Sequence, residues 1–349
     1  MDISIKDFGE LSGQIIQEYT LTNRHGVSLS AMTYGAAVTA IRVPDKNGLL
    51  QNIVLGYDTV DEYVSHRPFY GATVGRVAGR IDKGQFTLEG KNYQLETNEK
   101  GNHLHGGKNS LDTKIWSVKT NSAENEAQLI FSYKSLNNEN GYPGNLAIQV
   151  TYTLTESNDW KVNYHATTDK TTLFNPTNHV YFNLTGDPTH TIKQHQLTLT
   201  SNLFAELRED SIPTGNLLPV NETPFDFTTA DTISKGFESS HPQNKLVAGY
   251  DHPFVLDHLS QKPEAILYDP ISGRRVQMFT DQDAVVIYAT DSLDGKHTKE
   301  GTLIEHYAGI TLETQQLPDA INQENFGNIT LKPTDIFQAE TTYRFDTML

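Results

Sequence analysis

Ala147-Ile-Gln-Val-Thr-Tyr-Thr-Leu154 is rich in β-branched and aromatic residues, the types that fit a pleated, half-buried surface. Gln128-Leu-Ile-Phe-Ser-Tyr133 before it and Val276-Gln-Met-Phe279 well beyond it have the same character. Lys161-Val-Asn-Tyr-His-Ala166 alternates polar and apolar, as a strand with one buried face does. Turn signals punctuate the chain at Asp45-Lys-Asn-Gly48, Asp82-Lys-Gly84, Glu89-Gly90-Lys-Asn92, Glu156-Ser-Asn-Asp159 and Ser272-Gly273. Ala284–Ala289 is a short apolar segment of strand type. Helical periodicity is nearly absent, and only residues 60–66 and 319–324 suit a short helical turn. There is no internal repeat, low-complexity tract or linker. The expected fold is all-β, a large antiparallel β-sandwich, with residues 1–349 forming a single domain.

Composition narrows the function. The net charge is −16 with no block of like charges, which argues against nucleic acid, whose phosphates demand clustered Lys and Arg. It argues equally against an anionic membrane surface. With no cysteine, disulfides, thiolate catalysis and cysteine-ligated metal sites are excluded. The N-terminal stretch lacks the apolar run of a signal peptide, and no run approaches transmembrane length. A cytoplasmic protein without membrane or nucleic-acid partners is expected.

Two strand-like segments carry chemistry. In Asn175-Pro-Thr-Asn-His179-Val-Tyr-Phe-Asn-Leu184, alternation puts His179, Tyr181 and Asn183 on one face and Val180, Phe182 and Leu184 on the other. The apolar side reads as core. The polar side suits a hydroxyl-rich ligand, since burying such groups unpaired is costly, and its imidazole can move a proton; an ordinary solvated face is the alternative. In Ile310-Thr-Leu-Glu313-Thr-Gln315, Thr311, Glu313 and Gln315 share a face. Glu313 can serve as base to a histidine acid if the two faces converge.

Three clusters add candidates. Asn102-His103-Leu-His105-Gly-Gly107 places two histidines on one face if extended, a spacing that can bind zinc; no acidic third ligand stands beside them, and no metal is expected. Thr73-Val-Gly-Arg76-Val-Ala-Gly-Arg80-Ile sets two arginines among apolar residues, so a carboxylate or a ligand oxygen is expected to meet at least one, with a structural ion pair as the alternative for Arg76. In Asp251-His-Pro-Phe-Val-Leu256 the carboxylate either caps a turn or accepts hydrogen bonds from sugar hydroxyls. No Gly-x-Ser-x-Gly elbow supports a serine hydrolase, whereas Glu313 and Asp251 keep two-carboxylate glycosidase chemistry open.

From about Met32 to the C-terminus the chain resembles the aldose 1-epimerases, or galactose mutarotases. The landmarks are Gly75-Arg-Val-Ala-Gly-Arg-Ile81, Asn102-x-Leu-His-Gly-Gly107, Gly141-Tyr-Pro-Gly144, Asn175-x-Thr-Asn-His-x-Tyr-Phe-Asn-Leu184, Asp251-His-x-Phe254 and Leu312-Glu-Thr-Gln-x-x-Pro-Asp-Ala320, in that order. The resemblance implies a β-sandwich with a sugar cleft on one sheet. It implies cofactor-free exchange of the α and β anomers of galactose, glucose and related aldoses, by a monomer or homodimer. It assigns Glu313 as general base, His179 as general acid, His105 as a second active-site histidine, and Arg80 and Asp251 as sugar-binding residues. Two positions depart from the family pattern. Gly79 stands where many members have Asn, and Val286 stands near a position where some have Gln. A hexose-6-phosphate 1-epimerase and a non-catalytic sugar-binding module of the same fold are the alternatives.

Overall fold

The computed structural model of the chain describes residues 1–260, 262–289, 298–299 and 302–348. Leu146–Thr155 pairs antiparallel with Glu126–Ser135 on one side and Asp159–Thr168 on the other. Its alternate residues Leu146, Ile148, Val150, Tyr152 and Leu154 are buried, while Ala147 and Gln149 are exposed. This strand lies in a nine-stranded sheet that also contains Phe337–Thr347, Arg274–Thr280 and Ala265–Tyr268. A six-stranded sheet runs in the order Tyr181–Phe182, Ile310–Gln315, Ala284–Ala289, Tyr250–Val255, Leu203–Leu207, Pro213–Pro219. The N-terminal segment forms a five-stranded meander from Asp2–Leu11 to Leu50–Asn52.

The inner faces of these sheets share one core. Leu29 and Ile41 of the meander, Val150, Val162 and Phe345 of the larger sheet, and Phe182, Phe254, Ile287 and Leu312 of the six-stranded sheet all belong to it. The Tyr343 hydroxyl donates to the Leu312 carbonyl at 2.8 Å, tying the two larger sheets together. The expected antiparallel sandwich is therefore what these strands build.

Val60–His66 is a helix, begun by a capping box in which Thr59 and Glu62 satisfy each other's backbone donors. Residues 319–324 form successive turns instead of a helix. The Asp319 carboxylate accepts from Asp82 N and Asn322 Nδ2, which pins that turn. Two short helices, Ser234–Phe237 and Pro242–Val247, were not anticipated, because neither is long enough to show a period. Among the described residues no helix is long and apolar enough to cross a membrane.

Residues 175–184 do not form one strand. Thr177–Asn178 and Tyr181–Phe182 pair with different strands, and Asn175 makes an isolated parallel bridge to Val77. Val180, Phe182 and Leu184 still enter the core as expected. Asn183 does not join His179 on a ligand face. Its amide donates to the carbonyls of Asp187, His190 and Ala308, so it orders a loop.

Candidate active site

Strand alternation builds the floor of a cleft on the outer face of the six-stranded sheet. Phe254, Val285, Ile287, Ile310 and Leu312 turn inward to the core. Their neighbours Asp251, Pro253, Val286, Tyr288, Glu313 and Gln315 line the cleft. Register assembles them into rows: Val286 faces Glu313, and Tyr288 faces both Asp251 and Thr311. The opposite wall is a two-stranded ribbon, Arg80–Ile81 with His103–Leu104, together with the Pro68-Phe69 loop. The cleft holds about 320 Å³, a size that fits a small-molecule site.

The faces of residues 179 and 313 converge here. His179 Nε2 lies 3.2 Å from Glu313 Oε1, with both side chains almost fully buried. Tyr288 N donates to Thr311 Oγ1 at 3.2 Å, and the Thr311 hydroxyl donates to Glu313 Oε1 at 2.9 Å, which orients the carboxyl. Burial pushes the Glu313 carboxyl up to about 8, with the Thr311 hydrogen bond opposing and the Asp251 charge adding to the rise. Burial also pushes the His179 imidazole down to about 4. Between those values the pair holds one proton.

His105 stands beside them, its ring 5.3 Å from that of His179 and 4.8 Å from that of Phe69. Its Nδ1 accepts from Gly79 N at 3.2 Å, and the His105 backbone N–H donates to the Gly79 carbonyl at 2.9 Å. The ring hydrogen therefore sits on Nε2, available to donate. Burial holds this imidazole well below its usual range, and the neighbouring His179 and Arg80 add to the effect. His105 is thus a fixed neutral donor. Gly106 permits the turn that follows, since a Cβ there would lie 2.0 Å from the Gly75 carbonyl oxygen.

Arg80 and Asp251 meet across the cleft. Arg80 Nη1 lies 3.3 Å from Asp251 Oδ2, and Arg80 Nε donates to Glu99 Oε2 at 3.0 Å. Burial works against the Arg80 charge, but Asp251 and Glu99 more than offset it and hold the guanidinium above its ordinary value. Burial raises the Asp251 carboxyl despite the arginine.

Two expectations change. His103 and His105 do not share a ligand face. His103 is buried, with Nδ1 2.8 Å from the Glu96 carbonyl and Nε2 2.8 Å from the Tyr142 hydroxyl. Among the described residues, the grouping with metal-ligand spacing is instead His105, His179 and Glu313, whose ligand atoms lie within 4.8 Å of one another. Arg76 lies outside the cleft and bonds no carboxylate among the described residues. It donates to the carbonyls of Ser135, Leu136, Pro143 and Gly144 and to the hydroxyls of Ser135 and Thr172.

Phe69, Tyr288 and Glu99 went unnoticed in the sequence. Phe69 reaches the cleft through a left-handed backbone, φ +64°, which no periodicity announces. Tyr288 was legible in principle, two residues from Val286 on an apolar strand. Glu99 sits in the turn-rich Glu96–Gly101 segment, where one more acidic residue carries no signal.

The match to known proteins extends along nearly the whole chain. Residues 17–344 match the aldose 1-epimerase family model. The chain is 36% identical over 342 residues to galactose mutarotase of Rattus norvegicus, covering 97% of each. It is 31% identical over 346 residues to maltose epimerase of Levilactobacillus brevis, covering 99% of each. The solved galactose 1-epimerase of Lactobacillus acidophilus superposes with a TM-score of 0.90 at 29% identity, over 100% of this chain and 99% of that one. The chain therefore belongs to the aldose 1-epimerase family.

Proposed function

We propose that this protein interconverts the α and β anomers of galactose, glucose and related aldoses without a cofactor, using Glu313 and His179 as its proton-transfer pair. The observation that carries the reading is the 3.2 Å approach of His179 Nε2 to Glu313 Oε1 in a cleft of sugar size. One proton shared by an acid and a base is what anomer exchange consumes and returns. Hydroxyl donors of a bound sugar favour the charged carboxylate and leave the shared proton on His179. Glu313 then takes the proton from the C1 hydroxyl as His179 gives one to the ring oxygen. The bond between C1 and the ring oxygen breaks with its electron pair going to that oxygen, and a carbonyl forms at C1. Rotation about C1–C2 presents the other carbonyl face, and the reverse transfers close the ring. The proton count on the pair is unchanged, so no exchange with solvent is required. Each positioned group is worth about 10²–10⁴-fold.

In this reading His105 Nε2–H, Arg80 and Asp251 hold hydroxyls and orient the ring. Residues 1–349 act as one unit, because the cleft draws on positions from His66 to Pro318. Arg80 is the only lysine or arginine among the described cleft-lining residues, and two carboxylates already engage it. That disfavours a 6-phosphorylated hexose.

The test is polarimetry of freshly dissolved α-D-galactose, α-D-glucose and maltose, with and without EDTA. Accelerated mutarotation that survives chelation is expected. Activity restored only by added zinc would move the reading to a metal held by His105, His179 and Glu313. Binding without acceleration would favour a sugar-binding module, and release from a chromogenic glycoside would favour a glycosidase.

A further inference from the structure

Gln315 is fully buried and lines the cleft, yet neither Oε1 nor Nε2 has a hydrogen-bond partner among the described residues. Its backbone is fixed, because Ala284 pairs with it and Asn175 clamps the next residue, with Asn175 Oδ1 accepting from Gln316 N at 2.9 Å and Asn175 Nδ2 donating to Gln316 O at 3.1 Å. An amide held in a buried wall without partners loses its water hydrogen bonds and gains nothing in return, which is costly. Such a group belongs where a ligand completes it.

Gly79 supports the same conclusion from the facing wall. A Cβ built on Gly79 would lie 2.9 Å from Pro318 and 3.5 Å from Gln315 Nε2. Any side chain at position 79 would therefore stand over the amide, whereas glycine leaves it facing the cleft. Gln315 lies two residues from Glu313 on the same strand face, a rise of about 7 Å. The Gln315 backbone is thus displaced from that of Glu313 by roughly the span of a sugar ring.

From the unpartnered Gln315 amide beside Gly79 we infer that Gln315 is a specificity-determining residue, binding one sugar hydroxyl other than the reacting C1 hydroxyl. The inference rests on the aldose 1-epimerase reading of this cleft. One amide can donate and accept at once, so it distinguishes a hydroxyl from a hydrogen at one ring position but not at the others.

The experiment measures initial mutarotation rates of wild type, Gln315→Met and Gln315→Asn on glucose and on its 2-, 3-, 4- and 6-deoxy analogues. In wild type one deoxy analogue should lose about 3- to 10-fold in kcat/KM relative to glucose, the scale of one neutral hydrogen bond. Both variants should abolish that discrimination at that single position, mainly through KM. Without sugar, Gln315→Met should melt at or above the wild-type temperature, because it removes an unsatisfied polar group. Equal losses on every analogue, retained discrimination in Gln315→Asn, or a Gln315→Met protein that fails to fold would give the amide a structural role and overturn the inference. A wild type that accelerates mutarotation of no aldose would instead overturn the reading of the whole site.

Discussion

At the residue scale, the chemistry comes from burial more than from residue type. Glu313 and His179 are ordinary groups whose affinities for protons are pushed in opposite directions by the same desolvation. The pH dependence follows with a defined sign. Below about 4 the pair takes a second proton, and above about 8 it loses its only one. After subtraction of the spontaneous rate, kcat/KM should rise through the lower value, hold a plateau, and fall above the upper one. A profile set by a single group near the ordinary carboxylate value, with no decline above 8, would show that the pair need not carry a proton. Asp251 should act through binding. Asp251→Asn removes one of the two carboxylates that engage Arg80 and should raise KM several-fold with a smaller loss of kcat, measured with both galactose and glucose. At this scale the sequence was informative wherever a polar residue interrupted an apolar strand, as at Glu313 and Asp251. It misled at Asn183, because a side chain that satisfies loop carbonyls leaves the same alternating pattern as one that meets a ligand.

At the element scale, alternation settles which residues work and which pack. Strand Ala284–Ala289 sends Val285 and Ile287 to the core and Val286 and Tyr288 to the cleft, so its near-uniform apolarity hides a two-sided role. The long strands were legible because each repeats its pattern over many residues. The two-residue strands were not, since Arg80–Ile81 and His103–Leu104 are held by tertiary context alone. Arg76 shows how such irregular parts are fastened. Its buried guanidinium, pushed down to about 10 by desolvation, ties the end of Glu126–Ser135 to the Pro143-Gly144 turn and to Thr172. Arg76→Leu would leave the three buried carbonyls of Ser135, Pro143 and Gly144 without that donor. It should cost about 3 kcal/mol or more in denaturant unfolding, with each orphaned group contributing. A loss below about 1 kcal/mol would mean that water replaces the guanidinium.

At the scale of the whole molecule, the sandwich stores a destabilising acid. A Glu313 carboxyl raised to about 8 keeps its proton in the folded state while the unfolded chain has lost it. Between the usual carboxylate value and about 8 the folded state therefore binds more protons, and this group's contribution falls as pH rises. The depressed His179 acts with the opposite sign, but only up to its ordinary value near 6.5. From there to about 8 the glutamate acts alone. Wild type should lose about 2 kcal/mol relative to Glu313→Gln across that interval, read as a growing melting-temperature advantage of the variant. A constant difference would mean that Glu313 is ionised in the folded protein.

The convergence of residues 179 and 313 is the part of the site that composition and pattern could not reveal. They lie 134 positions apart in the chain; His179 sits in the link just before Tyr181–Phe182, and the pairing of Tyr181 with Thr311 brings it beside the strand that carries Glu313. Only the resemblance to a known family linked them beforehand.

The most direct test of that link is the turnover of fresh α-D-galactose by Glu313→Gln, His179→Asn and the double variant. Rates come from polarimetry in the presence of EDTA, and folding is verified by circular dichroism. Each single substitution should lower kcat by about 10²-fold or more, and the double variant should fall little further, because the two groups act as a unit. A folded Glu313→Gln protein with near-normal kcat would contradict proton transfer by this pair.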